Sequence, residues 1–233
     1  MNITPDTIVY FHLGPLEVSA TILFTWVVIG ILLIISFLAT RRLTSEPHMS
    51  RWQNILETLI SYMRTQIREI THQDPDRYLP FIGTLFLFIM VSNALTIVPY
   101  YHPPTGSLYT TGALAICVFL AVPFYGITNR GFGYFRHYIK PSVFMLPFNI
   151  ISEVSRTLAL AVRLFGNVMS GTMIVAILLS IAPLFLPIVM QALGLLIGLI
   201  QAYIFAILAT VYIASATRVQ EEKENGEEKQ KIE

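Results

Sequence analysis

The sequence has little charge: Asp, Glu, Lys and Arg make up 12% of its 233 residues, whereas 55% of the residues are hydrophobic. A soluble domain carries about twice that fraction of charge, so the composition excludes an ordinary soluble domain. Uncharged runs at residues 18–40, 78–129 and 164–217 reach or exceed the roughly 20 apolar residues that cross a bilayer. The sequence therefore predicts an all-α integral membrane protein.

The sequence also lacks the residues of most cofactor sites. It has one cysteine, Cys117, so neither a disulfide framework nor a thiolate metal site can form within one chain. It has no phosphate-binding Gly-x-x-x-x-Gly-Lys string and no His, Cys or carboxylate cluster with metal-ligand spacing. We therefore expect no metal, no cofactor and no nucleotide site, and we do not expect nucleic acid among its partners.

Among the connectors between the apolar runs, Lys and Arg occur in alternate ones. None precedes Arg41, several follow in residues 41–77 and 130–140, and the connectors "YYHPPTGS" and "APLFLP" have none. Because basic connectors stay in the cytoplasm, this pattern predicts five spans with the N-terminus outside and the C-terminus inside. The first run follows no basic stretch and precedes no small-residue cleavage site, so we expect it to be a retained span.

The predicted organisation is a single membrane domain over residues 1–233. Its last two helices exceed the membrane thickness and are joined at Pro183 and Pro187, so we expect a long, strongly tilted helical hairpin. An apolar stripe at helical spacing predicts an amphipathic helix on the cytoplasmic membrane surface or against a partner. The charged tail is expected to be disordered. The predicted segments are spans at 18–40, 79–100 and 108–127, long helices at 148–182 and 188–217, the surface helix at 50–73 and the tail at 218–233.

A few polar residues interrupt the first of the two long helices. Within residues 141–217 the side chains charged at neutral pH are Glu153, Arg156 and Arg163. At 3.6 residues per turn these three and Asn167 fall within about one quarter of the helix circumference, whereas Thr172 lies opposite Arg163. Glu153 and Arg156 are close enough to pair, but Glu153 lies roughly 15 Å along the axis from Arg163.

Arg163 is therefore a cation without a counter-ion in its own span. Its insertion costs about 2.5–3.5 kcal/mol, and its guanidinium stays protonated, so Arg163 cannot carry a proton. Two interpretations remain open. The side chain snorkels or binds backbone carbonyls, or its negative partner is a carboxylate of another subunit or the transported species.

We call the helix face that carries Glu153, Arg156, Arg163 and Asn167 a polar seam, and the last predicted helix has a second one. A Gly-xxx-Gly pair in this seam permits close helix approach, and an amide side chain follows it. We expect Gln201 to be presented to the preceding helix near Arg163. The seam consists of Gln191, Gly194, Gly198, Gln201, Phe205 and Tyr212.

Several strings resemble one family. "LALAVRLFGN" followed by "LIQAYIFAILATVYI" is similar to subunit a of the F-type ATP synthase, as are "GTLFLFIMVSNALTIVP" and "WQNILETL". The resemblance covers roughly residues 50–217. The family's essential arginine falls on Arg163, its neighbouring asparagine on Asn167 and its last-helix glutamine on Gln201.

The resemblance implies a non-catalytic membrane subunit with two offset half-channels beside a rotating c-ring. Ions would neutralise a c-ring carboxylate, and Arg163 would drive their release and block a leak that bypasses rotation. Implied partners are the c-ring, subunit b of the peripheral stalk, other F-type subunits and lipid, in the inner membrane of a bacterium. The ion-pathway candidates beside Arg163 are Asn167, Gln201, Glu153, Arg156, Thr172, Ser107 and Gln191.

The sequence departs from the family at several positions, among them Tyr109, where many members have an asparagine, and Thr157, where the family has a proline. Ser107 stands where many members have an aspartate, Thr172 where many have an acid, and Gly194 where many have a histidine. The coupling ion is therefore open between H⁺ and Na⁺. Two other functions are less consistent with the sequence: a self-contained secondary transporter, which five spans without a repeat disfavour, and a purely structural scaffold, which leaves Arg163 and Gln201 unexplained.

Overall fold

Six helices make up most of the described chain. The computed structural model describes residues 6, 9–13, 16–41, 51–98, 100–130, 145–182 and 185–218. Five helices are long and apolar enough to cross a membrane, so the prediction of a multi-pass, helical membrane protein is confirmed. The helices are α1 (Ala20–Arg41), α2 (Arg51–Thr71), α3 (Leu79–Ala94), α4 (Leu108–Arg130), α5 (Met145–Ile181) and α6 (Leu186–Arg218). The predicted tail lies outside the described residues from residue 219 onward.

A short β-hairpin precedes α1 and was not predicted. Strands β1 (Val9–Leu13) and β2 (Leu16–Ser19) pair antiparallel, with a bulge between Val9 and Phe11. The sequence did carry a signal, because two runs with aromatic and β-branched residues flank a Gly-Pro dipeptide. A single two-stranded hairpin is at best marginally stable alone, so its position depends on contacts with the helices.

Helix α2 packs against α3 and α6 of its own chain. Its apolar stripe places Met63 and Ile67 in the core, and Tyr203 on α6 donates a hydrogen bond to Oε1 of Gln66 over 2.9 Å. The helix ends at Thr71, and the next residue, His72, has a left-handed backbone (φ 55°) and donates its N–H to the carbonyl of Arg68. The partner of this amphipathic helix is therefore, at least in part, the chain itself.

Helices α5 and α6 are longer than a membrane is thick. They have 37 and 33 residues, hence lengths of about 55 and 50 Å against a hydrocarbon core of about 30 Å. They contact each other, α5 also packs on α4, and α6 on α3 and α4. In the most apolar stretch of α5 only 6% of the residues are buried, against 33% in that of α6. Helix α5 thus lies at the outside of the bundle.

Helices α3 and α6 approach each other closely at Gly198. The Asn93 side-chain amide donates to the carbonyl of Gly198 over 2.9 Å, and a Cβ at Gly198 would lie 3.0 Å from Cβ of Asn93. Gly194 has no atom within 4 Å of such a Cβ. Of the predicted Gly-xxx-Gly pair, one glycine permits close packing, and it does so against α3.

This contact predicts that Gly198→Ala destabilises the bundle by about 1–3 kcal/mol, the usual cost of overpacking. The matched control is Gly194→Ala, which makes the same helix-propensity change without a clash and should be neutral or stabilising by up to about 1 kcal/mol. Equilibrium unfolding in mixed micelles measures both. Equal stability of the two variants would contradict the close approach.

Candidate functional site

Arg163 lies at the middle of α5 and is exposed on the surface of the chain. The adjacent Leu160 and Leu164 are buried in the core, so Arg163 stands at the edge of the packed face. Within the described residues, no ion pair, hydrogen bond or cation–π contact of Arg163 is found. The chain positions this cation at its surface and provides no described counter-ion for it.

The rest of the α5 seam follows the same edge. Glu153 and Asn167 are half-buried, and Arg156 is exposed. The Arg156 guanidinium carbon lies 5.6 Å from the ring centroid of Tyr212 on α6, a cation–π contact. The seam thus meets α6 at Tyr212, while the ion pair between Glu153 and Arg156 stays a prediction.

Gln201 and Gln191 occupy different environments on α6. Gln201 is 6% exposed and therefore faces the interior; its approach to Arg163 stays a prediction. Gln191 is exposed and donates from Nε2 to the carbonyl of Thr96, 2.8 Å away, just after α3. Gln191 therefore ties the start of α6 to the end of α3.

Thr172 uses its hydroxyl locally. Its Oγ1 donates to the carbonyls of Val168 and Met169, over 3.3 and 2.9 Å, and the residue is exposed. Such bonds to the preceding turn satisfy a hydroxyl in an apolar environment. The structure does not bring Thr172 together with the other candidates.

Ser107 binds a carboxylate that sequence analysis missed. Its Oγ donates to Oδ2 of Asp6 over 2.8 Å, and Oγ1 of Thr21 donates to Oδ1 of Asp6 over 2.6 Å. Ser107 precedes α4 and is fully buried, Thr21 lies in the first turn of α1, and Asp6 is half-buried. We call this end of the bundle, where Asp6 bonds residues at the starts of α1 and α4 and the hairpin leads into α1, the hairpin end.

A buried polar cluster continues from Ser107 into the bundle. Thr105 Oγ1 donates to Oδ1 of Asn93 over 2.9 Å, and Oγ of Ser92 lies 3.4 Å from Oγ1 of Thr105. Asn93 also donates to the carbonyl of Gly198. The polar cluster is defined as Ser92, Asn93, Thr105 and Ser107, each at most 3% exposed. The signal for it was the Ser-Asn pair inside an otherwise apolar span.

Tyr101 lies beside this cluster, in the connector between α3 and α4. Its ring packs edge-on against Phe24 with centroids 4.9 Å apart. The buried hydroxyl makes no hydrogen bond of good geometry in the described part of the chain. Burial raises the pKa of the Tyr101 phenol to about 12, and the nearby Ser92 hydroxyl lowers it by a smaller amount.

Together these features define a class of protein. The chain is a multi-pass helical membrane protein with a fixed cation on the surface of its longest helix and a buried polar cluster at one end. Such intramembrane polar groups are typical of proteins that handle ions.

Comparison with known proteins identifies the family. The family model described as ATP synthase A chain matches residues 22–214. Proteins named ATP synthase subunit a 2 from Acaryochloris marina and subunit a 1 from Crocosphaera subtropica are each 57% identical, covering 95% and 96% of this chain and 95% and 97% of their own. ATP synthase subunit a of Albidiferax ferrireducens is 56% identical over 98% of this chain and 100% of its own. The chain belongs to the ATP synthase A chain family.

The buried phenol predicts a specific pH dependence. In the unfolded chain Tyr101 ionises near 10.0, whereas in the folded chain it keeps its proton to about 12. Between these values the unfolded state binds fewer protons, so stability falls as pH rises. Unfolding midpoints across this range should fall more steeply for the wild type than for Tyr101→Phe. Parallel pH profiles would show that Tyr101 is not buried in this way.

Proposed function

We propose that this chain is the ion-translocating stator subunit of a bacterial F-type ATP synthase. The observation that carries the proposal is Arg163, an exposed cation at the middle of α5 without a counter-ion in the described part of its own chain. A guanidinium keeps its charge in the membrane. It is therefore suited to attract an ionised carboxylate that another subunit presents.

The proposed carboxylate belongs to the c-ring, which would pack along α5. Two observations favour this surface. The most apolar stretch of α5 is the least covered of the five spans, so it is available to another helix or to lipid. The polar seam follows the edge of the packed face and stays accessible at Arg163 and Arg156. A long, tilted α5–α6 pair fits the curved wall of such a ring.

The proposed orientation divides the candidates between two half-channels. With the N-terminus outside, α5 begins at the cytoplasmic side, so Glu153 and Arg156 lie on the cytoplasmic half of the seam. The hairpin end and its polar cluster lie at the outer side, and they lead to Gly198, one turn before Gln201 on α6. Arg163 and Asn167 separate the two halves.

In this function ions enter by one half-channel, neutralise the ring carboxylate, travel with the rotating ring and leave by the other. The chain itself is non-catalytic, and ATP chemistry belongs to other subunits. Subunit b of the peripheral stalk holds it against rotation in the bacterial inner membrane. Hydroxyls and amides line the proposed outer half-channel, and a water-filled path with this lining admits either H⁺ or Na⁺.

Replacement of Arg163 tests the proposal in the complete reconstituted complex. Arg163→Ala should lower ion-driven ATP synthesis on the order of 10²–10³-fold, the usual loss when one preorganised electrostatic group is removed from its site. The matched control is Arg68→Gln, which removes a positive charge from the exposed end of α2 and should leave synthesis unchanged.

Three outcomes would contradict the proposal. The first is near-normal coupled synthesis by Arg163→Ala in a complex that contains the subunit at normal stoichiometry. The second is ion uptake by the purified chain alone in liposomes, which would favour a self-contained transporter. If neutral variants of Arg163 and Gln201 keep ion flux while removal of the chain abolishes assembly, the role is that of a scaffold.

A further inference from the structure

The N-terminal segment brings a carboxylate to the hairpin end. Asp6 is half-buried, and each of its carboxylate oxygens accepts one hydroxyl: Oδ1 from Thr21 and Oδ2 from Ser107. Among the described side chains that contact the polar cluster, Asp6 is the one that carries a negative charge at neutral pH. The Asp6 side chain is therefore partly exposed at the surface of the chain and is also bonded to two buried hydroxyls.

From Asp6 the polar groups continue inward, and the step from Ser107 to Thr105 is made along the backbone of one turn. Ser107 and Thr105 belong to the same tight turn, in which the N–H of Ser107 bonds the carbonyl of Pro104. Thr105 bonds Asn93, and Asn93 bonds the carbonyl of Gly198 on α6. The turn at Pro104–Gly106 also contacts α5, the helix of Arg163. The carboxylate thus stands at the start of a polar route toward the two long helices.

The other ionisable groups at this end are less suited to attract a cation. Tyr101 and His102 pack their rings against Phe24 of α1, and Nδ1 of His102 lies 3.2 Å from the carbonyl of Tyr100. Tyr100 and Tyr109 are mostly exposed phenols. None of these side chains is a carboxylate, so among the described side chains that contact the polar cluster Asp6 is the one suited to attract a cation.

We propose that Asp6 is the cation-attracting group at the outer mouth of the ion path, supplied by the N-terminal segment through its bonds to Thr21 and Ser107. This inference rests on the proposed function and adds the residue that collects the coupling ion. A negative charge at the mouth of a narrow polar route raises the local concentration of cations. Asp6 therefore lowers the ion concentration needed for synthesis without taking part in the exchange at Arg163.

The experiment uses the complete complex in liposomes, oriented with its nucleotide sites outward so that the hairpin end faces the lumen. ATP synthesis at a fixed membrane potential is measured against luminal Na⁺ at constant pH and against luminal pH at constant Na⁺. Asp6→Asn should raise the half-saturating ion concentration about tenfold, at the low end of what a charge-lined cleft provides. The maximal rate should stay within about twofold, because the exchange site is intact.

Two further variants separate charge from structure. Asp6→Glu keeps the charge and should restore half-saturation to within about twofold of wild type. Glu17→Gln removes the other acidic residue of the N-terminal segment and should behave like wild type. If Asp6→Asn leaves the half-saturating ion concentration unchanged, or lowers only the maximal rate, the proposal is wrong. The hydrogen bonds of Asp6 to Thr21 and Ser107 then have a structural role only.

Assembly is checked by the amount of the subunit in the purified complex. If the complex with Asp6→Asn does not assemble, the Asp6→Glu variant is the test. A wild-type half-saturating ion concentration for Asp6→Glu supports the proposal, and failure of Asp6→Glu to assemble overturns it. Arg163→Ala distinguishes this test from that of the proposed function. Normal synthesis by Arg163→Ala would contradict the proposed function as a whole. If only the result for Asp6→Asn differs from expectation, the Asp6 proposal is wrong and the proposed function is unaffected.

Discussion

The rest of the structure depends on one constraint, the permanent positive charge of Arg163 in a stretch of α5, residues 158–165, that is otherwise apolar. No counter-ion for it is found among the described residues. If the packed face of α5 buried this guanidinium, the cost would be several kcal/mol. The structure instead packs Leu160 and Leu164 and leaves Arg163 beside them at the surface. The position of α5 at the outside of the bundle follows from this arrangement.

Asn93 joins the packing of the bundle to its polar interior. Its side chain fills the space that Gly198 leaves open, donates to the Gly198 carbonyl and accepts from Thr105. Both functional groups of the amide are thus paired, as a buried amide requires. A polar route through a membrane protein has to be satisfied internally when no ion is present, because lipid offers no hydrogen bonds. The polar cluster meets this condition with side chains of α3, residues of the turn before α4 and the carbonyl of Gly198 on α6.

The spans and the central arginine were predictable from the sequence because both depend on local properties, namely runs of apolar residues and one charge within such a run. Partners in space were not predictable. Periodicity shows which residues share a helix face but not which helix that face meets, so the approach of Gly198 to α3 was missed. Asp6 and Ser107 are separated by 101 residues. No local pattern connects them, and the hairpin that carries the chain between them was itself not predicted.

Under the proposed function, Arg163 has to admit a carboxylate and exclude free cations, and simple electrostatics makes both possible. Two unit charges 4 Å apart interact by about 4 kcal/mol at an effective dielectric constant of 20. A free cation at that distance from Arg163 is disfavoured roughly a thousandfold, and an ionised carboxylate is favoured by a similar factor. A cation can therefore pass Arg163 only when it is bound to a ring carboxylate that neutralises the charge of the cation. Under this function, ions pass between the polar cluster in the interior and the seam on the surface only while bound to the ring. Ion flow is therefore coupled to rotation.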